Sequence, residues 1–268
     1  GSNTWNGSTY LRDGGTLRAV DGMGLSTNDS YLRFENGIFE SWGTFARNIG
    51  AQADSGKVYW QNKGGFAAFG GNLDVMLEQE TPGPLNWNDG DTGFRSQELY
   101  LGSKTATHVV DLKNDINLNG NRNLRAFDNI HTDQDVGKIS GILANGSGTS
   151  QLRKQGNASI HAGTLWLTGT NTYTGNTWID QGTIRAIDGV GLPADSRLTF
   201  EVDNNGFPCS FESKGSFTRD TGTGATNVYW QGQGGFAAWG GPLTVDLDGA
   251  GTSTELTWNL GVGGFRGQ

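Results

Sequence analysis

The chain contains one cysteine, Cys209, and five prolines among 268 residues, and no apolar run approaches the length of a membrane-spanning helix. A single thiol excludes an internal disulfide framework and any zinc site built on several cysteines. It is compatible with an exported protein and equally with a cytosolic one. Charge is also scarce: 17% of residues are charged, the formal net charge is −8, and the 19 Lys and Arg are scattered singly. An acidic chain without a basic cluster has no electrostatic footprint for nucleic acid or for an anionic membrane surface. No segment carries a capped apolar stripe at 3.6-residue spacing, so helix content is expected to be minor.

Glycine is abundant instead, at 45 residues. The excess follows no G-X-Y period, which excludes collagen, and it recurs between short apolar segments. Glycine disfavours helix interiors and suits tight turns, so the composition reads as many short strands with many corners. With 9 Trp and 13 Phe the chain has enough apolar surface to fold. Its 34% hydrophobic content points to a long, thin core.

The sequence also repeats. GSNTWNG (1–7) returns as GTNTYTG (169–175), and GTLRAVDGMGL (15–25) as GTIRAIDGVGL (182–192). VYWQ (58–61) returns at 228–231, and GGFAAFGG (64–71) returns as GGFAAWGG (234–241). NWN (86–88) matches TWN (257–259), and GFR (93–95) recurs at 264–266. The offset drifts from 168 to 171, a period of about 170 residues. Residues 1–168 form a first unit and 169–268 a second. Both ends fall inside a unit, so the sequence reads as a window of a longer tandem array.

Apolar residues alternate over short spans at 165–167, 177–179, 183–185 and 197–200, separated by Gly, Asn and Asp turns. Short strands at close spacing suit a sandwich, a barrel, a propeller or a solenoid. The period is far too long for propeller blades. The segment 109–127 has the rhythm of stacked coils, with Asn114, Asn117, Asn119, Asn121 and Asn123 between its apolar positions. Asparagine tolerates left-handed backbone and bonds its own chain at corners. An all-β solenoid is therefore expected, at roughly 20 residues per coil, about a dozen coils and about 60 Å of length.

GTLWLTGTNTYTGNTWIDQGTI (163–184) resembles the autotransporter-associated β-strand repeat, which reads G-T-L-x-L-x-G-x-N-T-Y-x-G-x-T-x-(I/V)-x-x-G-T-L. Gly1 to Leu17 resembles a second copy without its leading strand. Lys154 to Gly156 is similar to the lysine-glycine lead-in of the family, but the stretch 157–162 is longer than the family's. The resemblance implies a right-handed, single-stranded parallel β-helix in a large bacterial surface protein. It implies a stalk, passenger or filament role and carries no catalytic residue across.

Carbohydrate-active enzymes also use β-helices, and their chemistry needs paired acids or carboxylates around calcium. Asp111 and Asp115, with His108, Lys113 and Arg122 close in sequence, make the best such cluster. The alternative is that these are turn and surface residues. Asp89-Gly90-Asp91 resembles a fragment of a calcium loop, but its counterpart Leu260-Gly261-Val262 has no carboxylate. His108, His131 and His161 lack metal-ligand spacing. No nucleotide fingerprint or nucleophile elbow occurs in a strand-to-helix context. No catalytic residue, metal site or cofactor is therefore expected.

Alternation puts Phe66 and Phe236 in the core column and Phe69 and Trp239 on the opposite face. There they form either a lateral packing surface or platforms for sugar rings. The residues expected at a ligand or lateral contact are Trp60, Phe69, Trp87, Trp230, Trp239 and Trp258. Arg47, Arg95, Arg219 and Arg266 recur between units, as shared turns or ion pairs would. The expected function is an extracellular, non-catalytic solenoid at a bacterial cell surface. Its expected partners are further copies of itself, neighbouring units or surface glycans. A polysaccharide-binding or polysaccharide-degrading β-helix and a virion fibre remain the alternatives.

Overall fold

In the computed structural model the chain is all β and winds as a β-solenoid of about eight turns. The structure describes residues 1–26, 30–52, 56–78, 83–88, 93–156, 162–201, 207–247, 255–258 and 264–265. Every strand pairing is parallel, each strand lying on its equivalent one turn away. Three faces result.

Face A runs from Thr16–Arg18 through the first parts of Gly37–Asn48 and Gly64–Glu78. It continues through Glu98–Leu101, Arg122–Ala126, Leu152–Gln155, Thr177–Ile179 and Leu198–Phe200 to Val228–Trp230. Face B takes the later parts of the same two long strands, then Val110–Leu112, Gly137–Ile139, Thr164–Leu167 and Gly182–Ala186. It ends on the first parts of Cys209–Thr218 and Gly234–Asp246. Face C is less regular. Thr9–Arg12, Leu32–Glu35 and Val58–Trp60 pair at one end, and Leu85–Asn86, Ile116–Asn117 and Leu143–Ala144 pair further along.

The long strands turn a corner without ending. Gly43 and Gly215 occupy matching corner positions at φ 82° and 80°, and Gly70 and Gly240 follow at 78° and 70°. These left-handed values suit glycine and strain other residues, so the chain passes from one face to the next here. On face C, asparagine clips replace regular ladder. Asn114 accepts from the Leu77 N–H and donates to the Leu77 carbonyl, both at 2.8 Å. Asn171 likewise accepts from the Leu143 N–H and donates to the Gly191 carbonyl.

The turns are longer and fewer than expected. A turn takes 21 residues between Thr177 and Leu198, but 26 between Leu32 and Val58 and 31 between Leu85 and Ile116. Corner segments such as 102–109 account for the extra length. About eight turns at the inter-strand spacing span roughly 40 Å rather than 60 Å.

The repeats do not stack in phase. Val58–Trp60 lies on face C, whereas its counterpart Val228–Trp230 lies on face A. Thr16–Arg18 lies on face A and its counterpart Gly182–Ala186 on face B. Residues 73–75 lie on face B, and their counterparts 243–245 pair with the later part of Cys209–Thr218, one face further on. One repeat is thus a whole number of turns plus one face.

The core is a narrow column. In the first repeat Phe34 stacks on Trp60 at 4.1 Å, Trp60 meets Phe94 at 4.8 Å, and Phe94 meets Trp87 at 5.0 Å. Phe200, Trp230 and Phe265 repeat this pattern. Between the two aromatic sections the inward row on face A reads Leu99, Leu124, Lys154, Ile179, Phe200. One lysine thus sits in an apolar row.

Candidate functional site

Of the aromatics expected at a contact surface, Trp60, Trp87 and Trp230 lie inside the column and are 2% exposed or less. The alternation that points Tyr59 and Tyr229 away from the column turns Trp60 and Trp230 into it, and Trp87 packs on Phe94 there, so none of the three rings is at a contact surface. Phe69, Trp239 and Trp258 reach the surface, and Trp258 is largely exposed. Phe66 is buried in the column, and Phe236 packs against it half-buried.

Phe69 and Trp239 sit in the same constellation on different faces. On face B the outward row reads Thr44, Asp74, Asp111, Lys138, Trp166, Arg185, Glu212, Ala237. Trp239 lies two residues beyond Ala237, at the corner, and folds back over this row. Its ring meets the Arg185 guanidinium at 4.2 Å and the Trp166 ring at 5.0 Å, the two indoles inclined at 67°. Arg185 Nε donates to Glu212 Oε2 at 2.7 Å, and Lys138 Nζ lies 5.0 Å from the Trp166 ring. Ile187 and Val190 form an apolar wall, each 36% exposed, and Lys214 stands at the corner. These groups enclose a cleft of about 140 Å³.

The first repeat builds the matching arrangement on face A. Arg18 Nε donates to Glu40 Oε2 at 2.6 Å, and its guanidinium lies 3.3 Å from the Phe69 ring centre. Here the cleft is closed. The turn 102–107 folds down over Ala67, so that Ser103 Oγ donates to Glu40 Oε1 at 2.7 Å and Thr105 Oγ1 to the same atom at 2.9 Å. Glu40 is fully buried, and Ile38, Ala67, Tyr100, Ala106 and Phe127 form a small apolar cluster outside the main column. Trp166, Arg185 and Glu212 were not singled out by sequence. The signal was present in the recurrence of FES at 39–41 and 211–213 and of the preceding Gly-Thr-(Leu/Ile)-Arg.

The acidic cluster does not assemble into a catalytic pair. Asp111 accepts from Lys113 and lies 2.9 Å from Lys138, and Lys113 also pairs with Asp74. Asp115 Oδ1 accepts from the Ile142 N–H, a corner role on face C. Arg122 is buried and donates to the carbonyls of Leu118, Asn119 and Asn121. His108 Nδ1 bonds Thr107 Oγ1, and His131 is exposed. Asp89, Asp91, His161, Arg266 and the stretch 157–161 lie outside the described residues. Among the described residues, no group of three or more His, Cys, Asp or Glu is placed to hold a metal ion.

Arg47 and Arg219 are buried fasteners. Arg47 pairs with Asp21 and donates to the carbonyls of Ser26 and Ser30. Arg219 does the same with Asp188, Pro193 and Ser196. Each secures a turn-rich segment that has few ladder bonds. Arg95 lies over the Tyr59 ring at 5.0 Å.

Lys154 is fully buried, and its ammonium donates to the Gln181 carbonyl at 3.0 Å and the Gln155 carbonyl at 3.3 Å. Desolvation lowers its pKa to about 7. Cys209 is buried as well, bonds the Gln233 carbonyl, and is pushed up to about 12 by desolvation. A thiol in that state is unreactive. Among the described residues, no helix is long and apolar enough to cross a membrane, which says nothing of a β-barrel. No family model, no curated protein and no solved structure matches the chain.

Proposed function

We propose that the chain is a length of an extracellular, non-catalytic β-solenoid that serves as a stalk, fibre or adhesin at a bacterial cell surface. The observation that carries this reading is the unbroken ladder. One 15-stranded sheet runs through both repeats, so neither repeat has a separate core. Stacked backbone bonds resist local unfolding, and adding units lengthens the rod without new design. The resemblance of residues 163–184 to an autotransporter-associated repeat supports the surface location. Contacts with further copies or with surface glycans would be individually weak and would sum along the array. The one-face advance of each repeat distributes such contacts around the rod.

Electron microscopy of the purified native protein, together with limited proteolysis, tests the reading. Rods of uniform width that survive protease are expected, and compact particles that never elongate would count against it. A polysaccharide-degrading role makes a separate demand: reducing-sugar release that disappears in Asp111→Asn. Asp111 is held between two lysines, which suits a structural ion cluster better than an acid–base pair.

A further inference from the structure

We infer that the Asn145–Gly146 step is a self-modifying site, where the asparagine closes on the next main-chain nitrogen as a cyclic imide and opens to aspartate or isoaspartate. This goes beyond the scaffold role, which needs no covalent chemistry.

In this reaction the Gly146 nitrogen bonds to Asn145 Cγ and gives its proton to water. Negative charge gathers on Oδ1, the Cγ–Nδ2 bond breaks, and Nδ2 takes up a proton and leaves as ammonia. Water then adds to one or other carbonyl of the imide. The sum is one asparagine and one water giving one acidic residue and one ammonia. Three things favour it: a free nucleophile, donors for the oxyanion, and a proton for the leaving nitrogen. The corner at Asn145 supplies all three. Oδ1 accepts the main-chain N–H groups of Ser150 at 3.0 Å and Thr174 at 3.1 Å. Nδ2 donates to Thr174 Oγ1 at 3.0 Å, so that hydroxyl is in place to return a proton as the nitrogen leaves. The Gly146 N–H donates to no group among the described residues, and residues 146–149 are exposed to water.

Two other Asn-Gly steps lie, like this one, between an earlier and a later turn of the solenoid, and each lacks what Asn145 has. At Asn119 the nucleophile is tied, because the Gly120 N–H donates to Ser150 Oγ at 2.9 Å. Its Oδ1 accepts one main-chain N–H, from Ser147, and its Nδ2 donates to the Trp87 carbonyl, which has no proton to return. At Asn36 the Oδ1 accepts from the Tyr100 hydroxyl instead of from main-chain donors. Gly37 is buried in its long strand, and a Cβ there would stand 2.7 Å from the Leu11 backbone. The backbone around that step has no room to turn into a ring. The three sites therefore share a dipeptide and differ in hydrogen bonding and access.

The test holds the native protein at pH 8 and follows each Asn-Gly step by peptide mapping and mass spectrometry, beside a free peptide of residues 143–151. Asn145 is expected to convert about tenfold faster than Asn36 and Asn119, and no more slowly than in the free peptide. Thr174 is exposed, and Thr174→Val keeps its main-chain N–H while removing the hydroxyl. That variant should slow conversion at Asn145 by about tenfold. The inference is overturned if Asn145 is unchanged in the folded protein, or if Asn36 or Asn119 keeps pace with it. It is equally overturned if the free peptide converts faster, since the corner would then protect the amide. An unchanged rate in Thr174→Val would overturn it as well.

Discussion

The two repeats place one constellation on two faces, with Arg18, Glu40 and Phe69 on face A and Arg185, Glu212 and Trp239 on face B. Glu40 is fully buried beneath a turn of its own chain, whereas Glu212 faces an open cleft. Trp87 is in the core, and its counterpart Trp258 is 69% exposed. In a solenoid the surroundings of each strand come from the turns on either side, and the turn 102–107 that covers Glu40 has no counterpart within the 268 residues. The one-face advance sharpens the point. Arg18 and Glu40 stand on face A, and Arg185 and Glu212 stand on face B beside the row that carries Trp166 and Lys138.

The largest contrast is expected at the paired tryptophans. Trp87→Ala should cost about 3–5 kcal/mol, because it empties a fully buried site in the aromatic column. Trp258→Ala should cost less than about 1 kcal/mol. Equal losses in chemical denaturation would mean that the second repeat buries this ring in solution as the first does.

Next in size is an effect at Lys154, a charged residue in the inward row of face A. Folding lowers the Lys154 pKa from 10.5 to about 7. Between those values the unfolded chain holds a proton that the folded chain has released, so stability rises with pH through this window. Below about pH 7 the ammonium is charged in both states and its burial opposes folding in full. Above pH 9 the Cys209 thiol, raised to about 12, acts in the opposite direction, so the clean interval is pH 7 to 9. Lys154→Met completes the apolar row and should stabilise the protein at pH 6 by a few kcal/mol. It should also flatten the slope across that interval, as denaturation midpoints measured at several pH values would show.

The same contrast explains what the sequence made legible. Strand positions followed from alternation, and Thr177–Ile179, Gly182–Ala186 and Val110–Leu112 all form where the apolar rhythm placed them. The parity of each strand was less accessible. In VYW the outer residues point inward and the tyrosine outward, so Trp60 and Trp230, expected at a surface, are core, and Trp87 in LNWN is core as well. Turns are longer than the apolar rhythm predicts because corner segments such as 102–109 and 127–136 add residues that no ladder counts. The cleft was out of reach for a stronger reason. Trp166 and Trp239 are 73 positions apart in the chain and meet only because the intervening turns stack at a particular register.

A smaller effect should separate the two carboxylates. Glu40→Ala strands the hydroxyls of Ser103 and Thr105 in a closed site and should cost about 2–3 kcal/mol. Glu212→Ala removes one partly exposed ion pair and should cost about 1 kcal/mol. Comparable losses would indicate that Glu212 is also covered in solution.

The smallest effect is expected at the corner itself. Trp42 in the first repeat lies over Gly71, its Cβ 3.5 Å from where a side chain there would begin. Lys214 takes the same place over Gly240 and Gly241, with its Cβ and Cδ 3.8–3.9 Å from the corresponding points. The backbone at the two corners is alike, since Gly43 and Gly215 share their left-handed conformation. A tryptophan at 214 therefore has a surface ready to receive it, and Lys214→Trp should stabilise the second repeat by about 0.5–1 kcal/mol through added apolar contact. The ring would also stand at the mouth of the cleft and reduce access to Glu212. A destabilised variant would show that the two corners differ in solution, and that the lysine is held there by the shape of the second repeat rather than by chance of sequence.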